Sequence, residues 1–269
     1  MLLIDVGNSA IKWALLRDGE LHDAQWRLHR DVTDLAPRLA EDWREVPRGI
    51  DIVACNVAGE EVAAVLESAA RAAGLGALHW IRTQPMFEGS VSLFNGYRDP
   101  LQLGADRWHC MLGACLTASQ EVRPQGLVVV NAGTATTVDC IEATETRPGH
   151  VRFAGKFIGG VIAPGVRLML ESLKKGTAGL PAASGVAAAF PDNTDAAIVT
   201  GVLDAQAGLV QQIWRRFADR LAEAPWMMLT GGNAAMLQAR LPIGSATIED
   251  NLVLRGLALR AAQVSQSNR

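Results

Sequence analysis

Two short stretches place the same kinds of side chain at the same spacing. DVGNSAIK, residues 5–12, ends an apolar run on Asp5 and continues through Val6, Gly7, Asn8, Ser9, Ala10 and Ile11 to Lys12. VVVNAGTATTVD, residues 128–139, ends its apolar run on Asn131 and continues through Gly133 and Thr134. At an offset of 126 residues, Asp5, Gly7 and Asn8 fall on Asn131, Gly133 and Thr134. Glycine lets a ligand approach the backbone, and small amide and hydroxyl side chains add donors without bulk, which is what a phosphate group requires. Lys12 offers a positive charge to such a group, and Asp5 is a hard oxygen ligand of the kind that holds Mg²⁺ beside waters and phosphates. One such loop alone reads as a hairpin turn; two matched loops point to phosphate. Neither stretch fits the GxxxxGK[ST] pattern, and the chain has no GxGxxG, which disfavours a nicotinamide oxidoreductase.

Two further groups carry chemistry. GADR, residues 104–107, sets Asp106 and Arg107 at the start of a helical pattern. A carboxylate there either accepts a proton from a substrate or interacts favourably with the helix dipole. LTGGNA, residues 229–234, turns from a strand into a helix through Gly231 and Gly232, where bare backbone can admit a flat base or a ribose.

The elements that must hold these residues follow from hydrophobic periodicity. LLIDVGNSAIKWALL reads as strand, glycine turn and strand, with RDGE as a second turn and LHDAQWRLH as a third strand. DVTDLAPRLAEDWREV and EEVAAVLESAARAAG have helical spacing; DIVACNV and ALHWIRT are strands. FNGYRDPLQ is a loop, GADRWHCMLGACLTAS a helix, and the polar stretch 120–126 a linker. Beyond it, GLVVVNAGTATTVDCIE repeats the strand, glycine turn and strand of the N-terminus. VRFAGKFIGGVIAPG is expected to be a strand and a glycine-rich turn, followed by a helix in VRLMLESLKKG. The region from residue 194 to 224 is one long amphipathic helix or a broken pair. WMMLTGG is a strand, and NAAMLQARL and NLVLRGLALRAAQV are helices. The repeat implies two similar subdomains, 1–119 and 120–269, each contributing one loop to a cleft.

Composition sets the outer limits. With 269 residues, 49% of them hydrophobic and 20% charged, the chain is that of an ordinary globular protein. A net charge of −3 and a pI near 6.0 give no reason to expect nucleic acid. MLLIDVG lacks a basic leader segment and no apolar run is long enough to span a membrane, so a cytoplasmic protein is expected. Cys55, Cys110, Cys115 and Cys140 lie in apolar surroundings without CxxC spacing and read as buried reduced thiols; His109 beside Cys110 matches no zinc pattern.

Taken in order, DVGNSAIK, GADR, NAGTATTVD and LTGGN resemble the type III pantothenate kinases of the acetate kinase, heat-shock protein 70 and actin superfamily, over nearly the whole chain. GADR between the two loops makes the likeness specific. It implies an α/β fold of duplicated ribonuclease H-like, actin-like ATPase subdomains, with mixed sheets flanked by helices. It also implies transfer of the γ-phosphoryl group of ATP to pantothenate, with Mg²⁺ and a monovalent cation, K⁺ or NH₄⁺. Asp106 corresponds to the catalytic base. Tyr97, the sole tyrosine, Gly104, Ala105, Arg107 and Thr194 correspond to pantothenate contacts, with Arg107 serving either the pantothenate carboxylate or the transferring phosphate. Residues 5–12, Gly133, Thr134, Gly231 and Gly232 correspond to the ATP site. In the family Thr194 reaches substrate across a dimer interface, which implies a homodimer. Taken by itself, Thr194 is an ordinary helix N-cap.

Asn131 departs from the family pattern. Many relatives carry aspartate there and bind the monovalent cation with it; asparagine keeps a carbonyl oxygen but not the charge. Two rivals remain from the sequence. One is a nucleotide-binding regulatory protein, since proteins of this kind have been described as transcriptional accessory factors. The other is a kinase for a different small alcohol.

Overall fold

In a computed structural model of the chain, residues 1–29, 31–121, 124–144, 153–242, 244 and 246–267 are described. The chain divides into two units, the first from Met1–Gln120, Arg147–Phe153 and Leu252–Arg269, the second from Glu121–Thr146 and Ala154–Asn251.

The first unit begins with β1 (Leu2–Val6), β2 (Ala10–Arg17) and β3 (Glu20–Leu28), an antiparallel meander. Then follow α1 (Leu35–Asp42), β4 (Ile52–Asn56), α2 (Glu60–Ala72) and β5 (Leu78–Trp80). β4 runs parallel to β1 and β5 parallel to β4, giving the order β3-β2-β1-β4-β5. All five residues of β1 are buried, as a central strand covered on both faces demands. On one face Leu2, Ile4, Ile11, Trp13 and Ile52 pack with Leu39 and Trp43 of the α1 region and Leu66 of α2. Trp13 and Trp43 meet edge to face, 6.1 Å between ring centroids. A small antiparallel hairpin, β6 (Met86–Glu88) and β7 (Ser92–Asn95), and a 3-10 turn over Pro100–Gln102 precede α3 (Ala105–Glu121). That hairpin was not expected: its strands are too short to show a period.

The second unit repeats this plan. β8 (Gly126–Ala132), β9 (Ala135–Ala143) and β10 (Ala154–Pro164) form an antiparallel meander. α4 (Val166–Gly176) and α5 (Thr194–Ala218) follow, then β11 (Trp226–Thr230), α6 (Ala234–Gln238) and β12 (Ala246–Ile248). β11 lies parallel to β8 and β12 parallel to β11, so β10-β9-β8-β11-β12 copies the strand order of the first sheet. Val128, Val130 and Leu229 pack under Val210, Ile213 and Phe217 of α5 and Leu237 of α6. The apolar face of α5 therefore fills a core.

α7 (Leu252–Ser267) returns to the first unit and packs on β1 and β4. It also crosses α3 closely: a Cβ on Gly256 would lie 1.9 Å from the carbonyl oxygen of His109, and one on Gly113 would lie 2.1 Å from that of Leu252. A division of the chain after residue 119 places α7 with the second half, whereas its contacts are with the first unit.

Several local expectations change. Gly159 and Gly160 lie inside an eleven-residue strand rather than a turn; a bulge between Phe157 and Gly159, with Gly159 at φ +139°, absorbs them. Residues 194–218 form one continuous helix. Of the expected linker 120–126, Gln120 and Glu121 belong to α3, residues 122–123 lie outside the described residues, and Gly126 opens β8. Among the described residues no helix is long and apolar enough to cross a membrane, and all four cysteines are buried outside any disulfide.

Candidate active site

In the first unit the chemistry gathers at the C-terminal end of β1. Pairing aligns Asp5 with Lys12 on β2 and with Cys55 on β4, so the three side chains stand in one row on one face of the sheet. Asp5 is 7% exposed, and the Cys55 thiol donates to its Oδ1 at 3.7 Å. Burial pushes the Asp5 carboxyl up to about 6; Lys12 opposes that rise and the neighbouring charge of Asp106 adds to it. Burial also drives the Cys55 thiol well up, so it stays a protonated donor. A buried carboxylate that also feels the charge of a second one nearby has the chemistry that suits a hard divalent cation. Among the described residues no group of three or more His, Cys, Asp or Glu forms a metal cage, so a cation at Asp5 needs waters and ligand oxygens to complete its shell.

Gly7 and Ala10 close the β1–β2 hairpin, with Gly7 N–H donating to the Ala10 carbonyl at 3.0 Å and Asn8 exposed at the tip. The far end of the meander ties this hairpin down. His29 N–H donates to the Ser9 carbonyl at 3.0 Å, and His29 Nε2 lies 2.8 Å from the Gly7 carbonyl oxygen.

GADR opens α3. The Arg107 N–H donates to Asp106 Oδ1 at 2.8 Å, and a Cβ at residue 104 would lie 2.7 Å from that oxygen, so Gly104 gives the carboxylate its room. Burial raises the Asp106 pKa; the Arg107 N–H and the Arg107 charge hold it back. Arg107 is 4% exposed, donates from Nη1 to the Tyr97 hydroxyl at 3.0 Å, and lies 5.7 Å from the centre of that ring. Tyr97 is in turn held by its N–H on Asn95 Oδ1 at 3.1 Å. The structure thus brings Tyr97, Gly104, Ala105, Asp106 and Arg107 together in one unit with Asp5 and Lys12. His109 donates from Nδ1 to the Ala105 carbonyl at 2.7 Å and is fully buried, a structural residue of α3.

In the second unit, Asn131 is the penultimate residue of β8, Gly133 and Thr134 form the hairpin to β9, and Gly231 and Gly232 follow β11. Gly231 has φ +93°, and a Cβ there would meet the Ala132 carbonyl oxygen at 2.7 Å and Asn131 Oδ1 at 2.8 Å. The third glycine turn is therefore seated against the Asn131 side chain. Gly165, which sequence reading passed over, lies under the same hairpin: its N–H donates to the Thr134 carbonyl at 2.9 Å, and a Cβ there would come within 2.4 Å of the Gly133 oxygen. Thr194 is exposed on the first turn of α5. The N-cap is its neighbour Asn193, whose side chain accepts from Ala196 N–H at 2.9 Å, so the cap role expected of Thr194 is corrected.

Cys55 and His29 were also missed. Cys55 was legible only through the parallel register of β4 on β1, and His29 only through the bend that ends β3.

Two mixed sheets that share a five-strand order, each with a glycine hairpin between the first two strands of that run, define the fold of actin-like ATPases and sugar kinases. Among solved structures, MreB5 of Spiroplasma citri bound to ADP aligns over 99% of this chain and 97% of its own, at TM-score 0.51 and 10% identity. A Campylobacter jejuni protein assigned to the Baf family of transcriptional activators aligns over all of both chains, at TM-score 0.54 and 19% identity. At these identities the likeness is one of fold. The sequence is more specific: a type III pantothenate kinase model matches residues 1–216. Type III pantothenate kinases of Aromatoleum aromaticum and Dechloromonas aromatica are 39% and 38% identical, covering 98% and 96% of this chain and 98% and 97% of theirs. The chain belongs to the type III pantothenate kinase family.

Proposed function

We propose that this chain transfers the γ-phosphoryl group of ATP to the primary hydroxyl of pantothenate, giving 4′-phosphopantothenate, the first step of coenzyme A synthesis, in the cytoplasm. Family membership over the whole chain supports the reaction class. The single observation that carries the chemistry is Asp106, a partly exposed carboxylate with a raised pKa at the head of α3, beside the buried Arg107–Tyr97 pair. An acid raised from its ordinary value is a better proton acceptor, so Asp106 takes the hydroxyl proton as the oxygen attacks phosphorus. Arg107, fixed by Tyr97, presents a guanidinium to the pantothenate carboxylate, while Gly104 and Ala105 offer backbone to the substrate. Residues 5–12, with Lys12 as the cation, and Gly133 and Thr134 hold the ATP phosphates, and Gly231 and Gly232 leave room for the adenosine. Asp5 would hold Mg²⁺ together with phosphate and water oxygens, and the ion would supply charge neutralisation for the transferring group.

Asn131 presents one neutral carbonyl oxygen where the family pattern has a charge, a poor fit for a tightly held K⁺ or NH₄⁺. Added K⁺ is therefore expected to activate the wild type weakly, and Asn131→Asp to strengthen that dependence. The protein is read as a homodimer in which Thr194 reaches pantothenate in the partner's site, in keeping with its exposed position at the head of α5.

Incubation with ATP, Mg²⁺ and pantothenate tests the reading: ADP and 4′-phosphopantothenate should form together. Turnover of another alcohol but not pantothenate would reassign the substrate. No turnover under any salt would return the protein to the regulatory reading, which is otherwise not favoured, because Asp5, Lys12, Asp106 and Arg107 are all in place.

A further inference from the structure

The two glycine hairpins are tied down differently, and the difference falls on His29. In each sheet the residue following the third strand of the meander turns back onto the hairpin: Gly165 N–H donates to the Thr134 carbonyl, and His29 N–H donates to the Ser9 carbonyl. In the second unit that residue has to be glycine, since a Cβ would lie 2.4 Å from the Gly133 oxygen. In the first unit the matching carbonyl, that of Gly7, is instead met by a side chain, His29 Nε2 at 2.8 Å. His29 is only 9% exposed.

A peptide carbonyl only accepts hydrogen bonds, so Nε2 carries the proton and donates. This bond fixes more than one atom. In a trans peptide the C=O of one residue and the N–H of the next lie in one plane and point in opposite directions. No peptide bond here is cis. Holding the Gly7 carbonyl on His29 therefore holds the Asn8 N–H on the side away from His29. The main-chain bond from His29 to Ser9 does the same for the Ala10 N–H. Without the imidazole, the 7–8 peptide next to a glycine is free to flip, which would turn a carbonyl toward a bound phosphate and an N–H away from it.

We infer that His29 is a positioning residue for the nucleotide: by clamping the Gly7 carbonyl it sets the polarity of the first phosphate hairpin, donors outward, before ATP arrives. The inference rests on the proposal that residues 5–12 bind ATP phosphates. It assigns His29 no contact with substrate and no proton to move.

The test compares wild type with His29→Ala and His29→Gln, because a glutamine amide nitrogen reaches about as far as Nε2 and donates in the same way. Loss of one well-aligned hydrogen bond predicts a rise of about three- to tenfold in KM for Mg·ATP in His29→Ala. The KM for pantothenate should change less than twofold in that variant, by about the scatter of such comparisons, and His29→Gln should recover most of the loss. Amide hydrogen exchange in the ligand-free proteins, read over residues 6–11, should quicken in His29→Ala and return toward wild type in His29→Gln. That reading needs no turnover, so it separates the two proposals: a wild type that makes no phosphopantothenate defeats the kinase assignment alone, and the clamp is then judged by exchange and by ADP binding. Unchanged exchange over 6–11 in His29→Ala would overturn the inference. So would equal rises in both KM values with no recovery in His29→Gln, the signature of general loosening.

Discussion

Asp106 and His109 sit one helical turn apart on α3 and make opposite demands on their surroundings. As the proposed general base, Asp106 has to gain a proton and give it up again, which partial burial and the rise that burial gives its pKa favour. Asp106→Asn should lower kcat by about 10²- to 10⁴-fold, the usual contribution of a general base. Its thermal unfolding should match the wild type, because the Arg107 N–H still finds an amide oxygen to bond. His109 must stay neutral: burial lowers its pKa to about 4, against the partial support of the Ala105 carbonyl. The folded-state pKa lies below the unfolded one, so the unfolded chain binds the extra proton first. Stability tied to His109 is therefore fully present above the unfolded value and is lost as pH falls toward 4. His109→Asn keeps a donor for the Ala105 carbonyl and cannot titrate. Urea unfolding at pH 7 and pH 4.5 should show a smaller acid loss in this variant, by on the order of 2 kcal/mol. Sequence legibility was greatest at this scale. The grouping of Asp5 with Lys12 and of Asp106 with Arg107 was legible from kind and spacing, whereas His29 and Cys55 are ordinary residues until a strand bend and a parallel register put them against Gly7 and Asp5.

At the scale of elements, the crossing of α3 over α7 holds Asp106 and Arg107 in place. Gly113 and Gly256 let the two backbones approach until each carbonyl lies where the other's Cβ would be. Gly256→Ala must push α7 away from His109, and the overpacking should cost about 1–3 kcal/mol, read as a lowered urea midpoint. Because α3 moves with that contact, kcat should fall as well. An unaltered midpoint would show that the helices separate without strain. Periodicity made both helices legible but not their crossing, since a glycine inside a helical pattern reads only as a weak position. β6, β7 and β12 escaped for a different reason: three or four residues are too short for alternation to register, and unlike β5 they lie in no longer apolar run.

For the whole molecule, duplication was the most legible feature. An offset of 126 residues, visible in two loops, corresponds to one five-strand order present in both sheets. What the offset could not reveal is that α7 belongs with the first unit, because pairing between distant segments leaves no local pattern. The proposed dimer has its own test. If Thr194 completes the partner's site, mixing Asp106→Asn with Thr194→Ala should restore activity. Random exchange makes about half the dimers mixed, each with one intact site, so about a quarter of wild-type activity should return. Additive residual activities alone would place Thr194 and Asp106 in the same site of one subunit, or show that Thr194 has no role.

The return of α7 to β1 and β4 also sets an order of events during synthesis. The first unit cannot complete its core from its own early residues, since β1 waits for a helix separated from it by residues 7–251. The second unit, drawn from Glu121–Thr146 and Ala154–Asn251, closes through pairings nearer in sequence. On the ribosome, the half that carries Asp106 is therefore the later to mature, and its apolar first sheet lacks its α7 cover until residue 252 and those after it emerge.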